Sequence, residues 1–171
     1  MSTQELAENI PDTAHFRFVH SLPVQPEAEV SIDRHIYRQR TITRVGDSEW
    51  ALEQEAFGLG LVWLHVPKGQ GVEYVFLTAT TPIDEDSVHM RLLFLVNEGP
   101  GASELSPAAR AQIRLTSDNT ARDVPIWEHK VYRERAPLVP GDGPIVALRR
   151  WATQFYEHAS VDQPAAQATL P

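Results

Sequence analysis

The period of apolar and polar positions changes twice along the chain. Residues 2–20 read as a helical segment interrupted at Pro11, and since proline is tolerated in the first turn of a helix, a new turn can start there. From Glu29 to Val96, β-branched and aromatic residues dominate five segments: Val30–Val45, Glu49–Phe57, Leu59–Val66, Val72–Ala79 and Val88–Val96. Turn chemistry separates them, at Gly46-Asp47, Gly58, Lys68-Gly69-Gln70-Gly71 and Asp84-Glu85-Asp86. With no long helix between them, such strands are expected to pair antiparallel as hairpins. After Gly99-Pro100-Gly101 the helical period returns. Ser106-Pro107 reads as an N-cap followed by proline at the first helical position. Helices are expected over Asp118–Arg133 and Pro144–His158, with Val124, Trp127, Val131, Ile145, Leu148 and Trp151 on their apolar faces. Ser160–Pro171, rich in Ala, Gln and Pro, reads as a disordered tail behind a single domain over 1–159. There is no internal repeat. The layout is α+β: a helix, an antiparallel sheet, then C-terminal helices across it.

Composition narrows the chemistry. The 171 residues, 42% hydrophobic and 22% charged, are those of one ordinary globular domain with a sizeable core. A formal net charge of −8, with arginines scattered rather than striped, argues against nucleic acid as a partner. No apolar run approaches the roughly 20 residues that span a bilayer, and the acidic start lacks a signal-peptide layout, so a cytoplasmic location is expected. The chain has no cysteine, which removes disulfides, thiolate nucleophiles and cysteine-bound iron–sulfur clusters from these residues. A metal here would rely on His, Asp, Glu or Asn.

The densest polar constellation is Glu8-Asn9-Ile10-Pro11-Asp12-Thr13-Ala14-His15-Phe16-Arg17-Phe18-Val19-His20. At helical spacing Asn9, Asp12 and His15 share a face. His20, five residues beyond His15, lies about 140° further round an ideal helix, so the two rings meet only if the helix bulges or ends between them. Spacing alone leaves an amphipathic helix with two incidental histidines as the simpler reading. Asp123, two residues before Pro125, reads just as simply as an N-cap aspartate. His35, His65 and His89 fall in strand-like segments as cross-strand or surface residues. Glu128-His129-Lys130 reads as a solvated helix face, and Trp50, Trp63, Trp127 and Trp151 as core or interface aromatics.

The run Asn9-x-x-Asp12-x-x-His15-x-x-x-x-His20 resembles the iron-binding motif of Rieske non-haem oxygenases. Thr80–Asp86, the stretch Asp123-Val124-Pro125-Ile126-Trp127-Glu128-His129-Lys130-Val131-Tyr132, and Asp142-Gly143-Pro144-Ile145 followed by Arg149-Arg150-Trp151 and Gln154-Phe155-Tyr156 are similar to the branch containing 3-ketosteroid 9-alpha-hydroxylase and the cholesterol 7-desaturases. The resemblance covers roughly residues 5–158. It implies a curved antiparallel sheet with helix-grip (START/Bet v 1-like) packing and an apolar pocket between the sheet and a long C-terminal helix. It also implies a mononuclear Fe(II) held by His15, His20 and Asp123, a ligand set that leaves one face of the metal open. By the same resemblance Asp12 is a bridging carboxylate rather than a ligand, and Asn9 lines the iron site.

The chain departs from the family in lacking the Cys-x-His and Cys-x-x-His pairs of a Rieske domain, and it begins almost at the iron motif. The expectation is therefore the catalytic half of an oxygenase acting with O2 on a steroid-like or other bulky apolar ring. Electrons would come from a separate Rieske iron–sulfur subunit, carrying a 2Fe–2S cluster, and a reductase. Head-to-tail trimeric rings in the family suggest a hetero-oligomer of such pairs. The competing readings are a non-catalytic accessory subunit or apolar-ligand binder that keeps the fold, and a hydrolase using the same three ligands. Hydroxylation, desaturation and dealkylation share one iron–oxygen chemistry and are not distinguished by sequence.

Overall fold

In the computed structural model, which describes residues 1–67, 72–139 and 141–156, the strand-like segments form one six-stranded antiparallel meander. Its strands are β1 (Glu27–Asp33), β2 (Ile36–Val45), β3 (Ser48–Phe57), β4 (Leu61–Val66), β5 (Tyr74–Pro82) and β6 (Val88–Val96), paired in sequence order. Two short helices precede the sheet, α1 (Thr3–Ala7) and α2 (Ala14–Phe18); α3 (Pro107–His129) and α4 (Ile145–Ala152) follow it, with a 3₁₀ turn at Thr153–Phe155. The α+β expectation holds. No described helix is long and apolar enough to cross a membrane. The turn expected at Lys68–Gly71, the residues 157–158 and the tail from Ser160 lie outside the described residues.

Three local expectations change. Val30–Val45 is two strands, because Arg34 and His35 form a two-residue turn between Asp33 and Ile36. Arg34 takes a left-handed φ of 52°, and its carbonyl accepts Trp151 Nε1 at 3.1 Å and Gln154 Nε2 at 3.0 Å. Contacts from α4 and the 3₁₀ turn thus hold a turn that its own residue types do not announce. The expected helix over residues 2–20 is interrupted for longer than one proline requires: Asn9 and Asp12 lie in a turn between α1 and α2 and share no helix face. The third change is at Pro125, inside α3 rather than at its start. The helix begins at Ser106, whose hydroxyl accepts the Ala109 amide at 3.1 Å as expected of the N-cap, and stops at His129.

The core joins the two ends of the chain. Ala7 and Ile10 pack with Tyr37, Ala56, Leu148, Trp151 and Ala152, and the Tyr37 and Trp151 rings lie 5.6 Å apart. Alternate residues of β2 point inward, and the polar groups of three of them, Tyr37, Gln39 and Thr41, are hydrogen-bonded within the fold. Gln39 Nε2 donates to the Ile10 carbonyl at 2.6 Å and to Thr41 Oγ1 at 3.0 Å, and Tyr37 donates to Gln39 at 3.2 Å. The bond to Ile10 fixes the turn that leads into α2.

A second network ties the helices together. Glu8, buried after α1, accepts Arg149 from α4 at 2.8 Å and Lys130, just past α3, at 3.0 Å; Lys130 also donates to the Glu5 carbonyl at 2.7 Å. Lys130 is therefore half-buried in an ion network around Glu8, not part of a solvated face. Burial alone would raise the Glu8 carboxyl, but the hydrogen bonds and charges of Arg149 and Lys130 outweigh it and hold it below the usual carboxylate range.

Candidate metal centre

His15 is the second residue of α2, and its ring is fixed by the residue three before it. Its Nδ1 donates to the Asp12 carbonyl, while its backbone amide donates to Asp12 Oδ1 at 3.3 Å. With Nδ1 committed, Nε2 is the nitrogen left with a free lone pair. α2 ends at Phe18, and the chain turns back through Ser21, which takes a left-handed φ of 59°, while Leu22 N–H donates to the Phe16 carbonyl at 3.0 Å. Ending the helix brings two histidines five apart into contact, their ring centroids 5.0 Å apart and nearly perpendicular at 79°.

Asp123 arrives from α3, more than a hundred residues away in sequence, and is buried. Its Oδ1 lies 3.4 Å from His20 Nε2. One donor atom each from His15, His20 and Asp123 lies within 4.8 Å of the others. Two ligands at adjacent positions of one metal, each about 2.1 Å from it, sit about 3 Å apart, so the His20–Asp123 pair is near that spacing and the widest of the three must shorten to close on a cation. Burial pulls the His15 imidazole below its ordinary pKa, against the pull of Asp12 and Asp123, which favours the neutral, ligating form. Nδ1 of His20 is buried with no partner among the described residues. Two imidazoles and a carboxylate on one side of an apolar space suit Fe(II).

The other expected residues stand beside this group. The carboxylate of Asp12 is outside the three, half-buried and capping α2. Asn9 Oδ1 accepts Trp127 Nε1 at 3.4 Å, linking the first turn to α3. All of these except Asp12 border one cavity of about 290 Å³ between the inner face of the sheet and α3. Its walls are mostly apolar, including Leu22, Trp50, Leu64, Phe76 and Met90. His35 and His89 are exposed, and His65 pairs with Glu53 at 3.3 Å and Glu73 at 3.7 Å, so none of these three approaches the site.

Sequence reasoning missed the far end of this cavity. Tyr74, Gln112 and Thr116 meet there. A signal was present: Gln112, Thr116, Asn119 and Asp123 recur at helical spacing, a polar stripe on the inward side of α3.

The fold and the family match define a class, the C-terminal domain of Rieske-type oxygenases. More closely, residues 1–156 match the model of the 3-Ketosteroid 9alpha-hydroxylase C-terminal domain, and the chain belongs to that family. It is 28% identical over 171 residues to the 3-ketosteroid-9-alpha-monooxygenase, oxygenase component, of Rhodococcus rhodochrous, covering 90% of this chain and 45% of that protein. It is 27% identical to the cholesterol 7-desaturase of Caenorhabditis elegans over 92% of this chain and 43% of that one. The fold is shared with Pseudomonas putida CBB5 NdmA, at a TM-score of 0.65 and 18% identity over 89% of this chain and 45% of that chain. The chain thus spans a little under half the length of the curated relatives it matches.

Proposed function

We propose that this domain is the mononuclear-iron half of an oxygenase acting on a steroid-like, rigid apolar ring system. His15, His20 and Asp123 hold the iron, and a separate Rieske polypeptide supplies electrons through a 2Fe–2S cluster. The observation that carries this reading is the convergence of two histidines and a distant, buried aspartate at one side of an apolar cavity. Fe(II) bound there supplies a centre for reducing dioxygen and oxidising a nearby C–H bond. The protein's own part is positional. The Asp12 carbonyl holds the His15 ring in its ligating tautomer, burial keeps that ring neutral, and Asp123 contributes the one anionic ligand. The apolar walls exclude water and pack an apolar substrate. The Asp12 carboxylate, outside the ligand group, is the bridge for incoming electrons, and Asn9 lines the iron site. A cluster outside these 171 residues is supported by their lack of cysteine, which leaves nothing to hold one here.

Reconstitution tests this reading. With a reductase, NAD(P)H and a 3-ketosteroid, the isolated domain should give no product; adding a Rieske partner from the same organism should give product and a complex detectable by light scattering. Catalytic turnover by the isolated domain, or two proteins that neither associate nor turn over, would contradict it. Asp12→Asn should keep iron and substrate binding yet lose product formation, whereas Asp123→Asn should lose iron as well. The reverse pattern would mean the two carboxylates are assigned the wrong way round.

A further inference from the structure

The last strand of the sheet, β6, has a neighbour on one side only. Which of its backbone groups face away from β5 follows from the ladder. Asn97 N–H donates to the Glu73 carbonyl at 3.1 Å, and Ile83 N–H to the Ser87 carbonyl at 2.9 Å, one bonded pair at each end of the β5–β6 register. Opposite pairs in an antiparallel ladder alternate between bonded and non-bonded. His89, Arg91, Leu93 and Leu95 therefore bond to β5, and Val88, Met90, Leu92, Phe94 and Val96 turn their N–H and C=O groups outward. None of these outward groups bonds to another described residue.

The two edges of the sheet are built differently. β1, at the opposite edge, exposes Glu27, Glu29 and Asp33, charges of the kind that keep an edge from pairing. β6 has only His89 and Arg91 as ionisable residues, and it leaves Leu92, Leu93 and Leu95 exposed at 37%, 52% and 55%. A long apolar edge without charge protection is one that another strand covers.

The sequence of β6 complements itself. A two-fold axis through Leu92 sets that residue against its own copy, Met90 against Phe94 and Val88 against Val96, so every outward N–H and C=O gains a partner. All of these side chains are apolar, and they share the face on which Met90 lines the cavity. On the other face Arg91 falls opposite Leu93 and His89 opposite Leu95, with no like charges directly opposed. An axis at Arg91 would set two arginines against each other, and one at Leu93 would leave Val88 without a mate. An axis between residues would put cavity-side residues opposite outer-face ones.

We infer that β6 is the seam of a two-fold dimer, in which two copies of this chain pair edge to edge and join their sheets into one, with both cavities on the same face. The outer apolar face stays free for a different partner. The inference goes beyond the metal reading and does not depend on it.

Sedimentation of the wild type and two variants tests this. The wild type should sediment as a dimer. Leu92→Pro removes one outward N–H, a change that an edge strand tolerates without loss of its β5 ladder, and should sediment as a monomer with a melting temperature near that of the wild type. Leu95→Lys charges the outer face, leaves the edge intact and should remain a dimer. A monomeric wild type, or a dimeric Leu92→Pro, would overturn the inference. A monomer whose β6 is covered only when a Rieske polypeptide is added would give the edge to that partner and overturn it equally. The register has its own test, because the chain has no cysteine and a single introduced thiol can pair only with its copy. Leu92→Cys should form an intermolecular disulfide on mild oxidation, its Cα atoms about 5.5 Å apart across a bonded pair. Met90→Cys, about 14 Å from its copy along the strands, should not. Equal cross-linking of the two variants, or none in either, would contradict the seam.

Discussion

Gly143 lies against the Pro11 carbonyl with a φ of +71°, and a Cβ added there would come within 2.1 Å of that oxygen. The contact is with backbone, so nothing flexible can yield, and a left-handed φ costs a non-glycine residue about 1–2 kcal/mol before any clash. Pro11 closes the turn after α1, and Asp12 and Thr13 lead from it directly into α2 and His15, so displacement would pass straight to the first ligand. Gly143→Ala should lower the melting temperature and the iron content together; a variant with both at wild-type values would contradict that link. From sequence, Gly143 was visible only as part of the Asp142-Gly143-Pro144-Ile145 resemblance, and its physical reason emerged from the packing. His15 and His20 were visible as a spaced pair, but a spacing of five is neutral until α2 is seen to stop at Phe18. Tyr74 was legible only as a member of the Val72–Ala79 segment, because nothing in a strand's sequence states which helix residue its side chain will face.

Helix α3 shows why boundaries were harder than elements. Pro125 has no N–H to offer the carbonyl of Ala121, a loss that often ends a helix, and Asp123 therefore read as a start. The helix continues because tertiary ties lie just beyond the proline: Trp127 to Asn9 at 3.4 Å, and Lys130 to Glu5 and Glu8. The β1–β2 hairpin escaped notice for a related reason, since donors from Trp151 and Gln154 support its Arg34-His35 turn. By contrast, Gly46-Asp47 and Asp84-Glu85-Asp86 carried their own turn chemistry, and those turns were legible. At this scale Glu8 is the hub, joining α1 to Lys130 beyond α3 and to Arg149 of α4. Glu8→Gln leaves both cations short of a counter-charge; since each keeps some solvent contact, the cost should be roughly 2–3 kcal/mol, under that of a fully buried pair. The Glu8 carboxyl is depressed in the folded state, so its contribution is present above the unfolded carboxyl pKa and is lost as pH falls through the lower, folded one. Thermal melts from neutral to acid pH should show a wild-type advantage over Glu8→Gln that shrinks below about pH 4. A constant gap across that range would mean the pair is not the source.

At the scale of the whole molecule, the sheet separates two tasks by face. Its inner face closes the cavity with α3, and its outer face carries Trp63, Leu77 and Leu93 in register across β4, β5 and β6, with Leu93 and Leu95 more than half exposed. Such an apolar row supports the proposed association with a partner, because monomers rarely leave contiguous apolar surface to water. The order of strands was legible, since short turns between neighbouring strands leave little choice of topology. The cavity was not, as its shape depends on how far α3 stands off the sheet. Two chain segments more than a hundred residues apart meet at its edge, and the functional account rests on what that meeting holds. Iron content per chain, measured on protein purified anaerobically, tests this most directly. About one Fe(II) per chain in the wild type and almost none in a folded His15→Ala/His20→Ala variant is the predicted result; full iron in that variant would contradict the assignment.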